Sequence, residues 1–165
     1  MKKLLIISFF LAALNVSAQR ILKFENVNGH AIHVKGYNFE GVVFKKEHIV
    51  DTLIVKAINR FTPTFDEITK VERLLQHKLD TVHHYQSKYV RHHLKKYIRQ
   101  YVGYLNDKGE RIIYINALWR DPEYISEEEW TKDLVIVMDG GTGYWSIEIN
   151  LNTSQLFDFG VNGVA

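Results

Sequence analysis

Apolar positions recur at helical spacing over one part of this chain and alternate with polar ones over another, and the change falls near Tyr97. Ile68, Val71, Leu74, Leu75, Leu79 and Val82 lie on one stripe, with Lys70, Arg73 and Lys78 opposite. This predicts an amphipathic helix from about Phe65 to about Val82. Its start carries a chemical mark as well as a periodic one. Thr64 is placed to accept from a free backbone N–H of the first turn and Glu67 to bond back to Thr64, the reciprocal arrangement of a capping box. Asp66 adds negative charge at the positive end of the helix dipole. Beyond it, His83–Lys96 is polar with interspersed aromatics, and its pattern fits a helix extension, a second short helix or a loop.

From Tyr97 the period becomes two. Tyr97–Leu105 and Arg111–Leu118 read as strands joined by the turn Asn106-Asp107-Lys108-Gly109. Asp121-Pro122 and Glu127-Glu128-Glu129 mark a surface connection, and Ser126 with Glu129 repeats the capping-box spacing. Leu134–Met138 is apolar on both sides, as a central strand would be. Asp139-Gly140-Gly141-Thr142-Gly143 turns the chain into Tyr144–Leu151, where Trp145, Ile147, Ile149 and Leu151 alternate with polar residues. After Asn152-Thr153-Ser154, Leu156–Val161 makes a last strand. Upstream, Val42-Val43-Phe44 and Ile49–Ile58 look like strand pieces around Lys45-Lys46-Glu47-His48, and Asn28-Gly29 and Lys35-Gly36 are turns. The expected architecture is α+β: one main helix packed on an antiparallel meander of about four to five strands, with a partly stranded lead-in. In domain terms, a single domain over 19–165 divides into lead-in 19–62, helical region 63–96 and meander 97–165.

The first residues follow a different logic. Lys2 and Lys3 precede the apolar run Leu4–Leu14, and Val16-Ser17-Ala18 puts small residues where a signal peptidase cuts, so 1–18 is expected to be a cleaved signal peptide. That run is shorter than the roughly 20 residues of a membrane span. Removal of Lys2 and Lys3 from the 21 basic residues leaves as many as the 19 acidic ones. This argues against nucleic acid or anionic membrane as a partner. The protein is expected to be exported, periplasmic or extracellular, without stable membrane insertion after cleavage. It contains no cysteine, which excludes disulfides and leaves packing to hold the fold.

The segments Arg60-Phe61-Thr62-Pro63-Thr64, Tyr97–Tyr104, Asp139-Gly140-Gly141, Tyr144-Trp145 and Val161-Asn162-Gly163-Val164-Ala165 resemble small secreted proteins of Bacteroidetes-type bacteria, over roughly Arg60–Ala165. That resemblance implies no catalytic residues. At the level of architecture, a helix on a meander is similar to cystatin-like and NTF2-like domains, which host inhibitors, binding modules and enzymes alike.

Candidate chemistry is sparse. His83, His84, His92 and His93 form two adjacent pairs of the commonest zinc and copper ligand, with His30 and His33 upstream. No H-E-x-x-H or cysteine-containing metal pattern accompanies them, and a solvated polar segment is the simpler reading. Tyr101, Tyr114, Trp119 and Tyr144 are candidates for a ligand-stacking face, and Asp139 for a cleft at the sheet end. The Gly140–Gly143 run is followed by a strand, so it reads as a turn and not as a phosphate cradle. The basic run Arg91–Arg99 reads as a solvated edge strand guarded by lysine. No nucleophile motif, catalytic residue or cofactor is indicated. The leading expectation is therefore a non-enzymatic exported module that binds a protein, peptide or glycan. The alternatives are a metal-binding protein or metal-assisted hydrolase using His83–His93, and an NTF2-like enzyme with a pocket between helix and sheet and Asp139 or a histidine as base.

Overall fold

The computed structural model describes residues 21–51, 55, 59–121, 123 and 125–163; the expected signal peptide and the C-terminal Val164-Ala165 lie outside them. Eight strands form one sheet: β1 (Ile21–Asn28), β2 (Ala31–Gly36), β3 (Glu40–Phe44), β4 (Asn59–Phe61), β5 (Tyr97–Leu105), β6 (Arg111–Trp119), β7 (Tyr144–Asn150) and β8 (Gln155–Val161). Among the described residues three helices accompany it: α1 (Phe65–Lys78), α2 (Ser87–His92) and α3 (Glu127–Lys132). The strand order is β1-β2-β3-β5-β6-β7-β8, with β4 pairing the end of β5 beyond β3. The expectation of a sheet of four to five strands is thus corrected. The lead-in supplies four of the eight strands, and β3 joins β5 in parallel, the one break in an otherwise antiparallel sheet.

The parallel join has a steric requirement. A Cβ built on Gly41 would lie 2.0 Å from the Arg99 carbonyl oxygen on the neighbouring strand, so a side chain there forces the backbones apart.

The helix start is formed as its residues dictate. Thr64 accepts from the Glu67 N–H, and the Glu67 carboxylate accepts from the Thr64 N–H at 2.8 Å. The helix ends at Lys78, short of Val82, and Leu79–Thr81 tightens into a 3-10 turn. His83–Lys96 resolves into α2 and a second 3-10 turn, Leu94–Lys96. Ile68, Val71 and Leu75 of α1 share a core with Tyr101, Ile113, Ile115, Trp145, Ile147 and Ile149, which project from alternate positions of β5, β6 and β7. Burying this stripe is what holds α1 on the sheet.

The other face is covered too. Val42, Phe44, Val55, Ile98, Val102, Ile112, Leu118 and Trp130 of α3 make a second core, with Leu134 and Val135 against it. Leu134–Met138 is therefore not the expected central strand but an irregular segment crossing the sheet. Side-chain amides take the place of a ladder: Gln100 Oε1 accepts from the Val135 N–H at 2.9 Å and Asn116 Nδ2 donates to the Val135 carbonyl at 2.7 Å. The strand piece expected at Ile49–Ile58 is not a strand where it is described; 52–54 and 56–58 lie outside the described residues. Among the described residues no helix is long and apolar enough to cross a membrane.

Candidate functional site

The α1 stripe contains one charged residue. Glu72 follows Ile68 by four positions and precedes Leu79 by seven, so the period that buries the apolar residues buries its carboxyl as well. On β5, Arg99 and Tyr101 lie two residues apart and so face α1 together. Arg99 and Glu72 are each 1% exposed. The Tyr101 hydroxyl donates to Glu72 Oε1 at 2.7 Å, and Arg99 Nε approaches the same oxygen at 3.3 Å. Arg99 Nη2 donates to the Leu94 carbonyl at 2.8 Å, and the guanidinium carbon lies 5.9 Å from the Phe39 ring centre. Arg99 Nε and Nη1 make no hydrogen bond although both are buried.

These groups line a cleft of about 290 Å³ between α1, α2 and the β2–β3 turn. Glu72, Leu94 and Arg99 are its buried residues, Asn38 contributes from the turn, and Gln76, Arg91, His92 and Lys95 complete it. Arg91 is held in place: its Nε donates to the Gln76 carbonyl at 2.9 Å and its Nη1 lies 3.4 Å from Asp80 Oδ2. Three cations and one carboxyl therefore line the space. Burial pushes the Glu72 carboxyl above its ordinary range, against the opposing pull of Arg99 and the Tyr101 hydrogen bond. Burial, reinforced by Glu72, likewise pushes the Tyr101 phenol well above its ordinary value. The arrangement is a buried cation with unused donors beside a carboxyl whose ionised form burial disfavours.

Glu40, at the sheet end beside a depression of about 250 Å³, meets Arg120 Nη1 at 2.6 Å, His33 Nε2 at 3.0 Å and Lys35 Nζ at 3.4 Å. Burial would raise its carboxyl, but Arg120 foremost, with Lys35 and His33, holds it below the ordinary range.

The aromatic residues singled out in the sequence do not form one face. Tyr101 is buried under α1; Tyr114 and Tyr144 lie on the opposite side of the sheet beneath Val135–Val137. Trp119 packs edge-on against Tyr97 at 5.2 Å and carries Lys96 Nζ 5.0 Å above its ring. Asp139 is exposed, and its carbonyl accepts from Asn162 Nδ2 at 3.2 Å. The histidines are also dispersed in role. His83 is exposed, and His84 Nδ1 accepts from the Gln86 N–H at 3.2 Å. His93 Nδ1 donates to the Tyr89 carbonyl at 2.8 Å, and His92 alone lines the cleft. Among the described residues no three His, Cys, Asp or Glu side chains converge to hold a metal ion.

The sequence reading missed Glu72 and placed Arg99 in a solvated edge strand. This is corrected: β5 is central, paired on both sides, and Arg99 faces the core. The available signal was a carboxyl on a strictly apolar helical stripe together with an arginine between two buried tyrosines at strand spacing. Comparison with protein-family models, curated proteins and solved structures finds no match to this chain.

Proposed function

We propose that this is an exported, non-enzymatic binding module of the cell envelope or exterior, and that its ligand enters the cleft over Arg99. One observation carries the reading: the Arg99 guanidinium is buried at the floor of a cleft with Nε and Nη1 unbonded. A buried donor without a partner costs on the order of 1–3 kcal/mol, more when charged, so its retention implies an acceptor supplied from outside. The lining supports binding rather than turnover. It contains no hydroxyl or thiol side chain to act as nucleophile, and its carboxyl is already engaged by Tyr101. Export is supported by the Met1–Ala18 pattern and by the resemblance to small secreted bacterial proteins.

The site is tested by titrating the ¹⁵N-labelled full chain with inorganic phosphate, sodium acetate and the neutral disaccharide chitobiose. The binding reading expects saturable amide shifts on Asn38, Arg91–Lys95 and Arg99 with at least one of them. Shifts confined to Trp119, Tyr144 and Asp139 would move the site elsewhere and overturn it. Export is tested by N-terminal sequencing of the protein expressed from its full gene in a bacterium: recovery outside the cytoplasm with Gln19 first is expected, and cytoplasmic protein beginning at Met1 contradicts it.

A further inference from the structure

We infer that the group seated over Arg99 is an oxyanion, a carboxylate or phosphate, bound by Arg99 Nη1 and flanked by Lys95. This rests on the cleft being the binding site and goes further by naming the ligand's chemistry. Nη1 carries two N–H groups, and neither is used. Nη2 is spent on the Leu94 carbonyl, and Nε faces Glu72 without making a hydrogen bond. Nη1 is thus the end of the guanidinium with bonding capacity left over, and a ligand in the cleft reaches it by displacing the atoms that cover it.

Charge selects the class. Arg91, Lys95 and Arg99 outnumber the one carboxyl, Glu72. Arg91 is answered by Asp80, which leaves Lys95, exposed on the 3-10 turn that Arg99 braces, as the second cation of the cleft. A neutral acceptor would satisfy the Nη1 N–H groups but leave unanswered the surplus of positive charge in a cleft where Glu72 is the one carboxyl beside Arg99. An oxyanion answers both, through charge-assisted hydrogen bonds that are about twice as strong as neutral ones. Asn38, on the facing turn, adds an amide at the rim. The volume, about 290 Å³, is at the small end for ligand sites and suits a compact anion or the terminal group of a longer molecule.

The test uses the full chain with sodium phosphate and sodium acetate at constant ionic strength, sodium chloride as the balancing salt and chitobiose as the neutral arm. Phosphate or acetate is expected to shift the Lys95 and Arg99 signals saturably while chloride does not. A response to phosphate alone points to a phosphoryl-bearing ligand, and to acetate alone to a carboxylate. Lys95→Gln, at an exposed position that folding does not need, should weaken the response roughly fivefold. Arg99→Lys, which keeps the charge but removes Nη1, should abolish it. If chitobiose alone titrates these signals, the oxyanion assignment fails and the cleft reading stands. If none of the three moves them, both fail. An anion response unchanged in Lys95→Gln overturns the assignment to this cleft.

Discussion

Asn116 Nδ2 donates to Gln100 Oε1 at 2.9 Å on the sheet face away from α1, and this pair of amides fixes the path of Leu134–Met138. Gln100, fully buried, also donates from Nε2 to the carbonyls of Trp130 at 2.9 Å and Asp133 at 2.7 Å, so one side chain serves three backbone groups from the end of α3 into the crossing segment.

Gln100→Leu should therefore cost about 2 kcal/mol, since it takes the side-chain partner from the backbone groups of Trp130, Asp133 and Val135. The same substitution should release the Val135 amide to hydrogen exchange while the β5–β6 ladder stays protected. Urea denaturation and exchange mass spectrometry or NMR measure the two effects. A Val135 amide as slow as before would show that the segment is held by something else.

Glu67 links helix start to sheet. Its carboxylate accepts from Arg111 Nε at 2.6 Å as well as from the Thr64 N–H. Burial would raise it, but the Arg111 bond and then the Thr64 bonds outweigh that and hold it below the ordinary value of 4.5. A depressed carboxyl stabilises the fold above its unfolded-state pKa and loses that contribution as pH falls through the folded value. Glu67→Gln should cost about 1 kcal/mol at pH 7, and less at a pH below the folded-state titration of Glu67, where the wild-type carboxyl is itself protonated. Equal losses at both pH values would contradict this.

Glu72 has the opposite sign. Its folded-state pKa is raised by burial, so its contribution is fully present below the unfolded value and is lost as pH rises through the folded one. The charged and titratable groups around it are Arg99 and Tyr101 from β5, Arg91 and His92 from α2, and Lys95 from the 3-10 turn. Glu72→Gln keeps the acceptor for Tyr101 without the buried charge. It should match wild type near pH 4 and exceed it at pH 7 in chemical denaturation, whereas Glu72→Ala should be less stable at both. A Gln variant that falls further behind as pH rises would show that Arg99 holds the carboxyl ionised.

The same coupling sets a pH dependence for ligand binding. An oxyanion at Nη1 competes with an ionised Glu72 for the Arg99 charge, so phosphate affinity should fall as pH rises through the Glu72 titration, and Glu72→Gln should remove that step. Calorimetric titrations across pH measure it; an affinity with the same pH profile in both proteins would rule the competition out.

What was legible in the sequence follows from where neighbours are local. Thr64 and Glu67 are three residues apart, the α1 stripe repeats within two turns, and β7 alternates cleanly because each of its faces meets a different environment. β3 could not be read this way: Glu40–Phe44 is buried on both faces, so no period of two survives, and its partner β5 lies across α1 and α2 in the chain. β1 is interrupted by register shifts near Ile21–Lys23 and Asn26–Asn28 that blur its alternation. Leu134–Met138 has strand composition, but side-chain amides of Gln100 and Asn116 bond the Val135 backbone and that of Asn162 the Val137 carbonyl, and nothing local announces that. The cleft was hidden for a related reason. Arg99 sits in a basic run whose other members are exposed or half-buried, and only the position of β5 at the middle of the sheet separates it from them.

The most direct measurement is ¹⁵N NMR of the arginine side chains with and without phosphate. Arg60 is the internal control, because its Nε, Nη1 and Nη2 already donate to the carbonyls of Gly103, His48, Phe44 and Lys45. The expected result is that phosphate shifts the Arg99 Nη1 signal and slows its proton exchange while Arg60 is unmoved. An Arg99 signal that is indifferent to phosphate, or that moves only in step with Arg60, would contradict it.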